Sequence, residues 1–192
     1  MRRTIIAAVA ITVATSLTLV ATAAARRSDP AAADVAVAAQ ALDDPTIVAI
    51  FDAANTADIE TGELAMQRGQ SKEVRDFGAM LARDHKTVRQ QGRDLAAKLG
   101  VTPTPPKDDA GAKAHAAAMA KLRAVRASDF DHAFLQHEVA FHKSVIDAVT
   151  TTLLPAIRNA EVRDLVTKVA PAFKAHMMAA DNLDKRLTGA TK

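Results

Sequence analysis

The 192-residue chain contains no cysteine, no tryptophan and no tyrosine, and only 3% of its residues are aromatic. The absence of cysteine excludes disulfides, thiolate metal ligands, a cysteine nucleophile and a lipid-modified thiol. The absence of tyrosine excludes a tyrosyl radical. Because alanine is abundant and aromatic residues are few, the composition favours closely packed helices over a β-sheet.

Motifs of several functional classes are missing as well. No glycine-rich phosphate loop occurs, and no serine lies in a nucleophile elbow. The sequence therefore predicts no catalytic residue and no small-molecule substrate. Basic side chains number 25 against 22 acidic ones, and without Arg2 and Arg3 the excess falls to one. Since no basic stripe is interleaved with aromatic residues, we do not expect nucleic-acid binding.

The first 25 residues have the pattern of a secretory signal peptide. A short positive start is followed by an apolar run from Ile5 to about Val20, and residues 21–25 offer small side chains for cleavage. We therefore expect an exported protein, either periplasmic or secreted. An uncleaved membrane anchor is the alternative, because the apolar stretch is just long enough to span a bilayer.

Residues 26–43 are interpreted as a flexible tether, and residues 44–188 carry four long amphipathic stretches. The clearest stretch is Glu73–Gly100, in which apolar residues recur at spacings of three, four and seven. The other three are expected from Asp44-Pro45 to Arg68, with Asp44 as the helix cap, from Ser128-Asp129 to about Thr152, and from about Ala160 to Leu187.

Two features predict that these helices form two hairpins. The segment Glu73–Asp76 recurs as Glu161–Asp164, and each copy opens the second helix of a helix–turn–helix pair. A crossover of about 28 residues joins the pairs; it contains three prolines and an alanine-rich stretch at 110–125 that predicts a short extra helix. The expected fold is all-α: a ferritin-like four-helix bundle of two helical hairpins joined by a long crossover.

Each predicted long helix carries a polar residue on its otherwise apolar face. Within each hairpin these residues are nearly level, and a slide of one hairpin by one helical turn would bring all of them to one layer. Asp84, His132 and His137 fall on other faces, where we expect the two histidines to be solvated. The inward polar residues are Asp58, His85, Glu138, His142 and His176.

In this order and spacing, the motifs resemble a bacterial family of ferritin-like domains of unknown function, whose members are labelled predicted outer membrane or periplasmic proteins. The resemblance covers about Pro45 to Leu187 and implies export and a ferritin-like bundle, but no activity. Asp58 departs from the glutamate usual in the family, which shortens the reach of a ligand by one methylene. The residues that carry the resemblance are Asp58–Ala65, Met80–His85, Phe130-Asp131 with His142, and Pro171 with His176.

Two interpretations of the inward polar residues remain open. In the first, they bind a transition metal ion such as Fe, Zn or Cu for storage, buffering or stress protection, because imidazole and carboxylate groups are ligands for these ions. In the second, Asp58 pairs with His85 and Glu138 with His142, and the protein is a non-enzymatic envelope interaction or structural module. A ferritin-type di-iron oxidase is disfavoured because no Glu-x-x-His motif lies on an inner face.

Overall fold

The computed structural model describes residues 42–189, so the expected signal peptide and nearly all of the expected tether lie outside the described residues. Within residues 42–189 the regular structure is entirely helical, which confirms the all-α prediction. No helix in this part of the chain combines the length and hydrophobicity needed to cross a membrane. The helices are α1 (Asp44–Arg68), α2 (Lys72–Leu99), α3 (Ala110–Ala124), α4 (Phe130–Ala148), α5 (Leu154–Ala156) and α6 (Ala160–Gly189), with a 3-10 turn (Ala127–Asp129) before α4 and a π-helical segment (Val149–Leu153) after it.

Helix ends follow side-chain signals in the sequence, with one correction. Asp43, rather than Asp44, caps α1, because its backbone is extended and its carboxylate accepts a hydrogen bond from the Thr46 N–H at 2.9 Å. Asp44 is instead the first residue of the helix. Ser71 caps α2 by accepting a hydrogen bond from the N–H three residues on, and Gly100 ends that helix in the left-handed conformation with a φ of 64°.

The long helices pack in pairs. α1 packs along α2 and α4 along α6, while α2 also contacts α6 and α1 contacts α4. The connection between the pairs contains α3, which lies against α1 and α4. Arg68 secures this connection by donating hydrogen bonds to the carbonyls of Leu122, Arg123 and Val125 at 2.6 Å, which satisfies the open end of α3.

Each helix pair closes the loop of the other pair. The Asp131 carboxylate, at the start of α4, accepts hydrogen bonds from the N–H groups of residues 70 and 71 in the α1–α2 loop. The Asp44 carboxylate, at the start of α1, accepts hydrogen bonds from the N–H groups of residues 158 and 159 in the loop before α6. α4 therefore begins where α1 ends and α6 begins where α1 begins, so α1 runs parallel to α6.

The repeated Glu-Val-Arg-Asp segments occupy equivalent places in the two pairs. Arg75 donates to carbonyls of the loop before α2, and Arg163 donates to carbonyls just before α6. Ser71 caps α2, and Asn159 accepts from the N–H groups that open α6. These matching contacts support the predicted duplication of a helical hairpin.

Two hydrophobic clusters fill the interior, one around Phe77, Leu81 and Phe134 and the other around Ile47 and Val166. Along each long helix, the buried apolar residues belong first to one cluster and then to the other. Buried polar residues lie between these two sets. These residues, which we call the polar layer, are Asn55, Asp58 and Thr61 on α1, His85 on α2, Glu138 and His142 on α4, and His176 on α6.

α1 and α2 approach each other closely beside this polar layer, where Gly62 faces Gly78. A Cβ atom on either residue would lie 2.6 Å from the carbonyl oxygen of the other. Gly62 lies about one turn after Asp58 in α1. The contact between the two glycines therefore sets how near the backbone of Asp58 lies to α2.

We predict that Gly78→Ala lowers the free energy of unfolding by about 1–3 kcal/mol, because the new methyl group forces two backbones apart. Urea denaturation followed by circular dichroism measures the change. Gly189→Ala is the matched control, since a Cβ atom there meets no other atom within 4 Å. Equal unfolding midpoints for the two variants would contradict the prediction.

Candidate metal centre

The structure brings the five polar residues predicted from the sequence to one buried layer, and each is at most 7% exposed. One ligand atom from each of His85, His142 and His176 lies within 4.8 Å of the others. Asp58, Glu138 and His142 form a second group by the same measure. The two groups share His142, so the five side chains form two overlapping sets of candidate ligands and not one common set.

His85 is oriented by Asn55, a residue that the sequence analysis did not single out. His85 Nδ1 lies 2.9 Å from Asn55 Oδ1, and Asn55 Nδ2 donates to the Phe51 carbonyl at 2.7 Å. Because the amide nitrogen is engaged with a carbonyl, the amide oxygen faces the ring and accepts the proton of Nδ1. His85 Nε2 is then the nitrogen with the free lone pair, and it faces His176.

His142 is oriented in a similar way by its own helix. Its Nδ1 lies 3.0 Å from the backbone carbonyl of Glu138, which can only accept a hydrogen bond, so Nδ1 carries the proton. His142 Nε2 is buried without a hydrogen-bond partner and lies 3.8 Å from Asp58 Oδ1. Burial lowers the pKa of His142 to about 4 and that of His85 to about 3. Both rings are therefore neutral at pH 7.

His176 lies between His85 and a carboxylate nearer the surface. His176 Nδ1 is 3.2 Å from His85 Nε2, and His176 Nε2 is 3.4 Å from Asp84 Oδ2. Burial lowers the pKa of His176, and the Asp84 carboxylate opposes this effect. Asp84 was expected to point away from the interior, and it reaches His176 on α6 while remaining 36% exposed.

Asp58 and Glu138 place two carboxyl groups next to each other inside the protein. Asp58 Oδ1 and both oxygens of Glu138 are buried without a hydrogen-bond partner. The nearby Thr61 hydroxyl donates instead to the backbone carbonyl of Asp58 at 3.2 Å. Burial, and next the charge of Glu138, raise the pKa of Asp58 well above its usual range. Burial raises the pKa of Glu138 to about 7.

The ion pairs of residues 42–189 place only histidines, and no lysine or arginine, beside these two carboxylates. Carboxyl oxygens and the lone-pair nitrogen of His142 thus lie close together, and the only protons available to bridge them are those that the raised pKa values leave on the two carboxyl groups. Unpartnered buried groups of this kind are costly. A cation among them would satisfy oxygen and nitrogen together, so the atoms present fit a metal ion. Imidazole nitrogen with carboxylate oxygen suits Zn, Fe or Cu better than Ca or Mg, which prefer oxygen alone.

The internal duplication explains why no slide of one hairpin is needed. Asn55 and His142 are equivalent positions, 87 residues apart, and each side chain donates to the carbonyl four residues before it. His85 and Phe173, 88 residues apart, are equivalent on the second helices, and their rings stack with centroids 5.6 Å apart. The hairpins are therefore already level. The slide was expected only because the inward polar residues of the two hairpins, which lie about one turn apart in the repeat, were treated as equivalent positions.

The two other histidines of α4 lie outside the polar layer. His132 is exposed, as predicted, and its Nδ1 lies 2.7 Å from Asp184 Oδ1. His137 is half-buried rather than solvated. Its burial, and then the charges of His115 and Lys121 on α3, lower its pKa to about 4. The extra helix of the crossover covers this face, which the periodicity of α4 alone did not indicate.

The sequence matches a family model described as "Domain of unknown function (DUF4142)" over residues 27–183, which is most of the chain. The chain belongs to the DUF4142 family. No curated protein matches the sequence. The DUF4142 chain is similar to a crystal structure of a DUF305 fragment from Deinococcus radiodurans, with a TM-score of 0.65 and 16% identity over 74% of this chain and 95% of that chain. At this identity, the similarity concerns the fold alone.

We predict that Glu138→Gln in the metal-free DUF4142 protein becomes progressively more stable than the unsubstituted protein as pH rises from 5 to 8. The folded-state pKa of Glu138 is raised from 4.5 to about 7, so folding retains a proton at low pH and loses that stabilisation as pH rises through 7. A shift of this size corresponds to roughly 3 kcal/mol.

Urea denaturation in the presence of a chelator, repeated across this pH range, measures the difference. Taking the difference between the two proteins removes the opposing contribution of the buried histidines, which both contain. Loss of the Glu138 charge also lowers the pKa of Asp58, and this changes the difference in the same direction. Glu63→Gln is the control for removing one negative charge, because the Glu63 carboxylate is 45% exposed and paired with Lys86. A stability difference that stays constant with pH would show that Glu138 does not carry this proton.

Proposed function

We propose that this protein is an exported metal-binding protein whose polar layer binds one transition metal ion through His85, His142 and His176. Asp58 supplies a carboxylate oxygen next to His142, and Glu138 lies beside both. The observation that carries the proposal is that one ring nitrogen from each of the three histidines lies within 4.8 Å of the other two in the same buried space. The proposed use of the bound ion is storage, buffering or stress protection, and no reaction is assigned.

The groups behind the rings support this proposal. On the side of each ring that faces away from the proposed ion, one nitrogen lies near an acceptor. His85 Nδ1 contacts the Asn55 amide oxygen, and His142 Nδ1 contacts a backbone carbonyl. His176 Nε2 faces the Asp84 carboxylate. Histidines that bind metals commonly donate their second N–H to a carboxylate or carbonyl, which fixes the tautomer and the orientation of the ring. Three rings with such acceptors on their outer sides are therefore prepared to bind through their inner nitrogens.

The spacing of the inner nitrogens supports it as well. Two nitrogens bonded to one tetrahedral ion at 2.0–2.1 Å are about 3.3 Å apart. The 3.2 Å between His85 Nε2 and His176 Nδ1 agrees with that distance. Without an ion, a hydrogen bond between these two nitrogens needs a proton on one of them. Because Asn55 holds the proton of His85 on Nδ1, this proton belongs to His176 Nδ1, and a neutral His176 then turns an unprotonated Nε2 towards the Asp84 carboxylate.

The alternative, a structural module with a paired polar core, accounts for fewer of the contacts. It assigns Asp58 to His85 and Glu138 to His142, and the closest approaches in those pairs are both 3.4 Å. The shorter contacts of the two histidines go to Asn55 and to a backbone carbonyl. Three of the four carboxyl oxygens of Asp58 and Glu138 have no hydrogen-bond partner, whereas a core that served only for pairing would satisfy them.

We further propose that the helices form a ferritin-like four-helix bundle. In support, α1 and α6 are parallel, short loops join the helices within each pair, and a long crossover joins the pairs. In such bundles metal ligands project inward from facing helices at mid-length, which is where the polar layer lies.

The metal proposal predicts that purified protein, stripped with chelator and then titrated with Zn, Cu or Fe, binds one ion per chain. His85→Ala and His142→Ala each lose this ion, because each removes one inner nitrogen. Elemental analysis after gel filtration gives the stoichiometry, and isothermal titration calorimetry gives the affinity.

His132→Ala is the matched control, because it removes an exposed histidine of the same helix as His142. It should bind the ion like the unsubstituted protein. Circular dichroism of every variant checks that the helices are retained. The metal proposal is wrong if the unsubstituted protein binds no ion, or if all three variants lose it equally while remaining folded.

Export is a separate part of the proposal and has its own test. In a bacterial host, the full-length chain should be recovered outside the cytoplasm with its N-terminus within or just after residues 21–25, because a signal peptidase cuts after small residues that follow an apolar run. Intact mass measurement of the recovered protein locates the cut. Recovery of the uncut chain in the membrane fraction would instead support the anchor, and recovery in the cytoplasm would contradict export.

A further inference from the structure

We infer that a cavity between α1 and α4 admits a small uncharged molecule, of the size of a diatomic gas, to one side of the proposed metal centre. This inference deepens the proposed function and rests on it where it concerns the metal. The cavity itself can be examined in the metal-free protein.

The cavity has a volume of about 70 Å³, and roughly 10–15 Å³ is enough to hold one water molecule. Its inner end reaches the polar layer, because Asn55, Asp58, His85 and His142 contribute to its lining. His142 is also the residue that both groups of candidate ligands share. A molecule in this cavity would therefore lie against the histidine at the middle of the proposed site.

Apart from that inner end, the lining is hydrocarbon. Ile50 and Ala54 of α1 face Val145 and Ala148 of α4 across the cavity. These residues are half-buried or exposed, so this side of the cavity lies close to the protein surface. An ion would have to give up its water against these walls and find no polar group in return, which is unfavourable. A small apolar molecule meets no such penalty.

The π-helical segment supports a role for this side of the protein. Its two buried residues, Val149 and Leu153, both line the cavity. The Leu154 N–H donates to the Val149 carbonyl five residues earlier, and Pro155, which follows, has no N–H to continue the ordinary helical ladder. The hydroxyls of Thr150 and Thr151 bond back to carbonyls of the preceding turn. A widened turn of this kind is rare and is found frequently at functional sites.

The opposite side of the polar layer has a different character. There Asp84 is 36% exposed and its carboxylate lies 3.4 Å from His176. The Asp84 carboxylate is also paired with the Arg83 guanidinium, at 2.9 Å, so this side presents an ion pair, whereas the cavity between α1 and α4 presents apolar side chains. The two approaches to the layer thus differ in polarity, with charged side chains on the side of Asp84 and hydrocarbon on the side of Ala54.

The experiment uses xenon as a neutral apolar probe, since apolar protein cavities bind it. Methyl NMR of the full mature chain, stripped of metal, should show saturable xenon-dependent shifts of the Val145 and Val149 resonances. Ala54→Leu should lose this response, because the larger side chain occupies the cavity. Ala53→Leu, which places the same side chain on the exposed face of α1, should retain it.

A second measurement connects the cavity to the metal. When one Co²⁺ is bound, the resonance of bound xenon should broaden strongly, because a paramagnetic ion then lies next to the cavity. Ala54→Leu should still bind Co²⁺, which also shows that this variant is folded. If Co²⁺ binds and the bound-xenon resonance does not broaden, the inferred contact between the cavity and the metal centre is wrong.

The outcomes separate the two proposals. Absence of saturable xenon binding, or equal binding by Ala54→Leu and Ala53→Leu, overturns the cavity inference whatever happens with metals. Xenon binding that is lost in Ala54→Leu, in a protein that binds none of Co²⁺, Zn, Cu and Fe, overturns the proposed function and with it the link to a metal, while the cavity is established as a binding site for uncharged molecules.

Discussion

Desolvation of the polar layer is the constraint on which the rest of this structure depends. Two carboxyl groups and three imidazoles lie between two hydrophobic clusters, where charge is strongly disfavoured. The pKa shifts all follow from this burial: the carboxyl groups are held towards their neutral form and the imidazoles are held neutral. The lone pairs of the neutral imidazoles are then available, and their acceptors on the outer side determine which nitrogen faces inward.

The duplicated hairpin supplies the frame for this layer, and departures from the duplication supply its chemistry. Asn55 and His142 are equivalent and use the same hydrogen bond to the preceding turn, but only His142 presents a nitrogen lone pair to the centre. His85 and Phe173 are equivalent and stack on each other, and only His85 can act as a ligand. The candidate centre is consequently asymmetric within a nearly symmetric fold, with polar groups of both pairs meeting at the same level.

Much of this arrangement could be predicted from the sequence, because helical periodicity fixes which residues share a face. The periodicity placed His85, His142 and His176 inside the protein, and the repeated Glu-Val-Arg-Asp segment indicated two equivalent hairpins. Periodicity says nothing about contacts between helices, so it could not assign Asn55 to His85 or Asp84 to His176. Asn55 lies three residues before Asp58 on the same face, and that spacing was the one signal available for it.

Other errors came from the same limit. The cap of α1 depended on which of two adjacent aspartates has an extended backbone, and the second aspartate instead closes a loop more than a hundred residues away. His137 was expected to be solvated because α4 alone presents it to the outside, and α3 covers that side. The close approach of Gly62 and Gly78 likewise appears only when the two helices are packed together. In each case a long-range contact decides the environment of the residue.

The polar layer also determines how stability and binding are connected. Replacement of a buried ionic or polar cluster by well-packed apolar residues is often neutral or stabilising, so the layer is a site where the fold gives up stability. In the metal-free protein this cost falls on the unpartnered oxygens of Asp58 and Glu138 and on His142 Nε2. An ion that binds only the folded chain recovers stability in proportion to the logarithm of its concentration. Under the proposed function, the same atoms that weaken the metal-free core would give the folded state its affinity, and the protein would then be most stable where its ion is abundant.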